Sequence, residues 1–145
     1  MTVQKTSVLP AGRDAVFQKL RKLETLRYIA WPFAAFEPVG GAALTWMAGV
    51  TSSYRFRLFG VIPFGTHTIH IVRFDPEGIR SRETNEHVPV WNHDIIMEPV
   101  DAYHTEYTDR VEIRAGWKTA FVWVWANAFY AHRQRRWIRL LRDGN

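Results

Sequence analysis

Residues 117–142 read WKTAFVWVWANAFYAHRQRRWIRLLR, and this run decides the fold. It contains no Pro or Gly. Gly116 stands just before it, and Asp143-Gly144-Asn145 stops it, with Gly144 placed as a C-terminal cap. About 25 residues at roughly 1.5 Å each make a rod of about 38 Å. The first half, from Ala120 to Phe129, is apolar nearly all the way round, and such a helix needs cover on all sides. The second half is basic, with Arg133, Arg135, Arg136, Arg139 and Arg142 toward the end where cations suit the helix dipole.

The rest of the chain supplies the cover. Thr2 to Leu9 alternates as a strand does, and Pro10-Ala11-Gly12 ends it. Arg13 to Leu20 puts Val16, Phe17 and Leu20 on one helical face. Arg21 to Tyr28 makes a second short helix, which Pro32 bounds. Ala34 to Val39 reads as a short strand, Gly40-Gly41 as a turn, and Ala42 to Ala48 as a further extended piece holding Trp46 and Met47. Thr51–Phe59 and Thr66–Phe74 alternate clearly, joined by the connection Gly60–Gly65. Asp75-Pro76-Glu77-Gly78 is a strong turn signal. Ile79–Asn85, Trp91–Glu98 and Tyr103–Arg114 follow as strands. About seven antiparallel strands at roughly 4.8 Å give a sheet about 34 Å wide, which the long helix can cross. The expectation is a single α+β domain over residues 1–145.

Composition narrows the function. A chain of 145 residues buries about two-thirds of its unfolded surface. Aromatic residues make up 14% of it, with seven Trp, which suits a lined cavity, a membrane surface or a large core. The net charge is +5, and Arg supplies 15 of the 19 basic residues. With no Cys, disulfides, thiol nucleophiles and Cys-ligated metals are excluded. The N-terminus lacks a signal-peptide apolar run, and Ala120–Ala131 is too short to span a bilayer, so a cytoplasmic protein is expected.

The whole order resembles the START-like, or Bet v 1-like (SRPBCC), superfamily. Its most telling parts are the opening SVLPAGRDAVFQKLRKLETL, the middle FRLFGVIPFGTHTIHIVRFDPE, and the ending YTDRVEIRAG followed by FYAHRQRRW. The ending resembles a bacterial branch of small stand-alone, polyketide-cyclase-like members. The resemblance implies a helix-grip fold, in which a curved antiparallel sheet holds the C-terminal helix and two short helices follow the first strand. It also implies a cavity for a lipid, polyketide or other apolar molecule. It brings no catalytic residues with it.

Turn symmetry proposes a site. A turn centred on Asp101 sets His93 opposite Asp109 and Ile95 opposite Tyr107. A symmetric Asp75–Gly78 turn sets His70 opposite Glu83, and the Gly60–Gly65 connection sets Arg55 opposite His70. The Glu86–Val90 loop sets Glu83 opposite His93. Arg55, His70, Glu83, His93 and Asp109 then form one row across the sheet. The same face carries Val72, Phe74, Ile79, Trp91, Ile95, Met97, Tyr107, Val111 and Ile113. It is the more apolar face and is assigned inward.

A buried row of alternating charge satisfies itself. It is read as a self-contained network, as an anchor for a ligand's polar end, or as an acid/base pair with His93, Asp109 and Tyr107 as candidates. Phe74, Trp91 and Ile95 from the sheet, with Phe121, Trp125 and Phe129 from the helix, complete the expected ligand wall. Ala128 and His132 share that helix face, while Trp123, Tyr130 and Trp137 fall on another.

The histidines show no metal-ligand spacing. No phosphate-cradling loop, dinucleotide fingerprint or nucleophile elbow appears, so no metal or cofactor is expected. The leading expectation is a carrier or sensor of a small hydrophobic ligand, as monomer or homodimer. A cyclase- or hydratase-type enzyme is second. Third is an interaction or membrane-surface module using Arg133, Arg135, Arg136 and Arg139. Specific nucleic-acid binding is not expected.

Overall fold

The computed structural model describes residues 1–40 and 45–143. The chain runs β1 (Thr2–Leu9), α1 (Arg13–Leu20), α2 (Leu23–Ala30), β2 (Ala34–Pro38), β3 (Thr51–Leu58), β4 (Ile62–Asp75), β5 (Gly78–Asn85), β6 (Val88–Asp101) and β7 (His104–Arg114). A 3-10 turn at Gly116–Lys118 then leads into α3 (Thr119–Arg142). The strands form one antiparallel sheet in the order β1-β7-β6-β5-β4-β3-β2. This is the expected α+β helix-grip architecture, with two short helices after the first strand and one long helix on the sheet. The Gly144 cap and residues Ala42–Leu44 lie outside the described residues. Thr45 makes only an isolated bridge to Lys22, and Trp46 to Ala48 join no strand, so that part of the expected Ala42–Ala48 strand is not formed.

Alternation decides which face of each strand is covered. β3 buries Ser52, Tyr54, Phe56 and Leu58, and β6 buries Trp91, His93, Ile95 and Met97. Two apolar clusters result. One gathers Phe36, Phe56, Ile69, Trp91, Ile113 and Trp125. The other gathers Leu9, Val16, Ile79, Met97, Tyr107 and Trp137.

The phase of α3 differs from the expected one. Its buried stripe is Val122, Trp125, Ala126, Phe129, Tyr130, Arg133, Gln134 and Trp137, a run of three- and four-residue steps on one helical face. Trp125 and Phe129 face the sheet as expected. Phe121 does not, being 67% exposed. Ala128 is also exposed, and His132 is half-buried with its ring on the Trp31 carbonyl. Tyr130 and Trp137, expected on another face, lie inside. A segment apolar on every side carries no pattern that fixes its rotation. The polar partners of Arg133 and Gln134 on the sheet fix it instead.

Strand register departs from turn symmetry in four places. The last turn is Ala102-Tyr103, so His93 stands opposite Val111, Ile95 opposite Asp109 and Met97 opposite Tyr107. β5 and β6 pair Ser81 with His93 and Glu83 with Trp91. Between β4 and β5 the symmetric register holds from Asp75 to Arg73, then slips by one at a bulge before Ile71. The slip turns Val72 outward and sets His70 opposite Arg82 on the outer face. β3 pairs Thr51 with His70 and Arg55 with Thr66, and Arg55 is exposed. Arg55 and His70 therefore stand outside the row, because a one-residue slip exchanges the faces of a strand.

Candidate functional site

A polar belt crosses the inner face between the two apolar clusters. β4 brings His67, β5 brings Ser81 and Glu83, β6 brings His93, β7 brings Asp109, and α3 brings Arg133 and Gln134. Glu83, His93, Asp109 and Arg133 are 8%, 6%, 0% and 5% exposed. His67 Nε2 donates to Glu83 Oε1 at 2.7 Å, and Ser81 Oγ donates to Glu83 Oε2 at 2.6 Å. His93 Nδ1 lies 3.6 Å from Glu83 Oε2, while its Nε2 donates to Asp109 Oδ1 at 2.8 Å. Arg133 Nη2 lies 3.8 Å from Asp109 Oδ1, and Gln134 Nε2 donates to Asp109 Oδ2 at 3.4 Å. Asn85 Nδ2 meets His67 Nδ1 at 3.4 Å, which suits an imidazole carrying its proton on Nε2.

Burial alone would neutralise these groups, and their mutual contacts reverse it. Burial pushes the Glu83 carboxyl up, but hydrogen bonds from His67 and His93 hold it far below the usual carboxylate range. Burial also raises Asp109, and the Arg133 charge and the His93 hydrogen bond outweigh it. The His93 imidazole is pushed down by burial and raised further by Asp109 and Glu83, so its cationic form is favoured. Two carboxylates and two cations, His93 and Arg133, thus balance inside the fold.

Beside this belt lies an internal cavity of about 50 Å³. Ile29, Phe36, Phe56, Ile69, Ile71 and Phe129 give it apolar walls, and His67, Glu83, His93, Tyr130 and Arg133 form its polar side. Leu20, Leu26 and Trp46 line it as well, and all three are only half-buried, so they form its cover. Trp46 stacks on Tyr54 with centroids 6.1 Å apart. The Arg133 guanidinium lies 5.1 Å from the Tyr130 ring centroid. Among the described residues, Arg133 Nε finds no hydrogen-bond partner. Tyr107 Oη lies close enough to that guanidinium to feel its charge but stays outside hydrogen-bonding geometry.

The structure brings Glu83, His93 and Asp109 together, as the sequence row required. His93 and Asp109 meet as diagonal neighbours rather than as an opposed pair. Trp91, Ile95 and Phe129 line the cavity. Trp125 packs behind Phe129 with rings 4.7 Å apart, and Phe74 packs between the two apolar clusters. Tyr107 is buried against Trp137, away from the cavity lining. Arg55, His70 and Phe121 are on the outside.

His67, Ser81, Tyr130, Arg133 and Gln134 are the members that sequence reasoning missed. Arg133 had one available signal, since it lies four residues from Phe129 and four from Trp137 on a single helical face. It is no surface cation. Arg136 is half-buried too, with its guanidinium 4.0 Å from the Tyr28 ring centroid and Nε donating to the Tyr28 carbonyl. Arg135 and Arg139 are exposed. Among the described residues, no group of three or more His, Asp or Glu is placed to hold a metal. No described helix is long and apolar enough to cross a membrane.

The fold has known counterparts. A START superfamily protein from Mycobacterium smegmatis superposes with a TM-score of 0.72 at 12% identity, covering 99% of both chains. DynU16, from the dynemicin biosynthetic locus, matches at 0.65 and 18% identity over 99% of this chain and 48% of its own. The Aha1 dimer structure from Colwellia psychrerythraea matches at 0.63 and 14% identity, covering 92% of this chain and 90% of that one. At these identities the likeness concerns the fold, which is START-like, or Bet v 1-like. No curated protein matches the sequence. Residues 7–141 match the family described as Domain of unknown function (DUF8410), and the chain belongs to that family.

Proposed function

We propose that this protein binds a small molecule with an apolar body and a hydrogen-bond-accepting end between the sheet and α3, as a carrier or sensor. The observation that carries the reading is Arg133. It is buried, it stands on the polar side of a cavity whose other walls are apolar, and its Nε has no partner among the described residues. A buried charged cluster is weak ground for stability, because well-packed apolar residues often do as well or better. Its place in a cavity wall favours a ligand role.

The acid/base reading is disfavoured by the same geometry. Both nitrogens of His93 face carboxylates of the belt, so neither is directed at the cavity to take a proton from a substrate or to give one. The cavity volume sets a further condition. About 50 Å³ is well below the several hundred Å³ of a drug-sized site, so a larger ligand enters only if Leu20, Leu26 and Trp46 move aside.

Native mass spectrometry of the purified protein, before and after organic extraction, tests the reading. The expected result is a retained small molecule carrying a carboxylate, carbonyl or phenolate oxygen. Thermal melts with a series of aromatic and medium-chain carboxylates provide the second arm. A bare mass together with no stabilisation by any of them would sink the proposal.

A further inference from the structure

Monomeric proteins rarely leave large contiguous apolar patches in water. This chain leaves one at the start of α3. Trp117, in the 3-10 turn before α3, is 90% exposed, and Phe121 and Val124, three residues apart on one face of α3, are 67% and 62% exposed. The β3–β4 hairpin adds Phe59, Val61 and Ile62 at 51%, 74% and 51%. Trp31, at the end of α2, is 52% exposed.

These pieces touch. The Trp31 ring lies on Gly60, where an added Cβ would meet it at 2.7 Å. The Phe33 and Phe59 rings pack at a tilt of 43° with centroids 5.9 Å apart. Leu58 and Phe64 from the hairpin line one small groove with Phe121 and Val122 from α3. Phe59 holds φ at 55°, a left-handed conformation that a bulky residue seldom adopts, and such strain clusters at functional positions.

Charge selects the occupant. Residues 55–66 and 114–124, which supply the hairpin and helix sides of the patch, contain no Asp or Glu and hold Arg55, Arg57, Arg114 and Lys118, of which Arg57 and Arg114 reach Glu37 and Glu112 at 3.8 and 3.5 Å. Lys118 Nζ lies 5.8 Å from the Trp117 ring centroid. Exposed Trp and aliphatic side chains beside cations, with no acid in the same segments, suit a bilayer interface with anionic headgroups. A second copy would bring the same positive surface against itself. A nucleic acid would leave the aliphatic tips without an apolar partner. We infer that this face, made of the start of α3, the β3–β4 hairpin and Trp31, docks peripherally on an anionic lipid membrane.

The test is co-sedimentation of the full chain with phosphatidylglycerol–phosphatidylcholine vesicles, against phosphatidylcholine alone, at low and high salt. Tryptophan quenching by brominated lipid is read in parallel. Expected are binding to the anionic vesicles only, a loss at high salt, and quenching that Trp117→Ser reduces. Because the positions are exposed, Val61→Ser with Phe121→Ser should keep the far-ultraviolet circular dichroism and weaken binding by roughly a hundredfold. Lys118→Glu should weaken it about tenfold or more.

No binding to either vesicle overturns the proposal, as does equal binding to both. Binding that survives the double variant but is lost in Arg135→Glu with Arg139→Glu also overturns it, by moving the contact to the other end of α3. A dimer that the double variant splits, with no vesicle binding, would make the face a subunit interface instead.

Discussion

Glu83 is gripped by His67, Ser81 and His93, and Asp109 by His93, Arg133 and Gln134. Replacing Asp109 with Ala would leave Arg133 and His93 as buried cations without their shared partner. Loss of one member of such a set costs about 3–5 kcal/mol, which a urea melt would read directly. The same contacts predict the pH profile. Both carboxyls are depressed below their ordinary values of 4.5 and 3.8, so their contribution is present above that range and lost as pH falls through the lower folded values. His93 is raised above the ordinary 6.5, so its contribution is complete below 6.5 and fades as pH rises through the folded value. Thermal stability should therefore peak in mildly acidic buffer. His93→Gln should flatten the alkaline side of the melting-temperature curve and soften the acid side, since His93 helps to depress both carboxyls. A profile unchanged by that substitution would contradict the cationic assignment.

Elements were legible where a pattern carried them. The alternation of β5 and β6 gave their inner faces, and the turn residues gave the hairpins. Three charged members of the belt came through because an error of two residues in pairing keeps a side chain on its face. Ile95 opposite Asp109, instead of His93 opposite Asp109, is such an error. The bulge before Ile71 slips the pairing by one instead. No side chain announces it, and it exchanged His70 for His67. Ile71→Ala should accordingly cost about 2–5 kcal/mol, while Val72→Lys stays within about 0.5 kcal/mol. α3 posed the opposite difficulty, since apolar residues all round leave its rotation open until the sheet's polar partners are known. Its observed phase predicts that Trp137→Ala costs about 3–5 kcal/mol and Trp117→Ala almost nothing, by denaturant titration of each.

At the scale of the molecule, sheet and helix close over a space that is small as it stands. Ile69 lines that space and is 5% exposed. Ile69→Ala should lower stability by about 2–5 kcal/mol and enlarge the cavity. Benzoate should then raise the melting temperature of the variant more than that of the unaltered chain, in proportion to its occupancy of the folded state. Equal shifts would mean that the probe binds elsewhere.

The belt itself has a consequence in time. Its members are drawn from β4, β5, β6, β7 and α3, and Asp109 finds Arg133 only when the sheet and the helix are both present. As the chain leaves the ribosome, the strands emerge with their carboxylates still in water, and the helix that compensates them is synthesised after them. Contacts so far apart in sequence slow folding. Final closure over the inner face should therefore wait for α3. A nascent chain stalled before Arg133 should stay open to protease along β6 and β7, where the released chain resists.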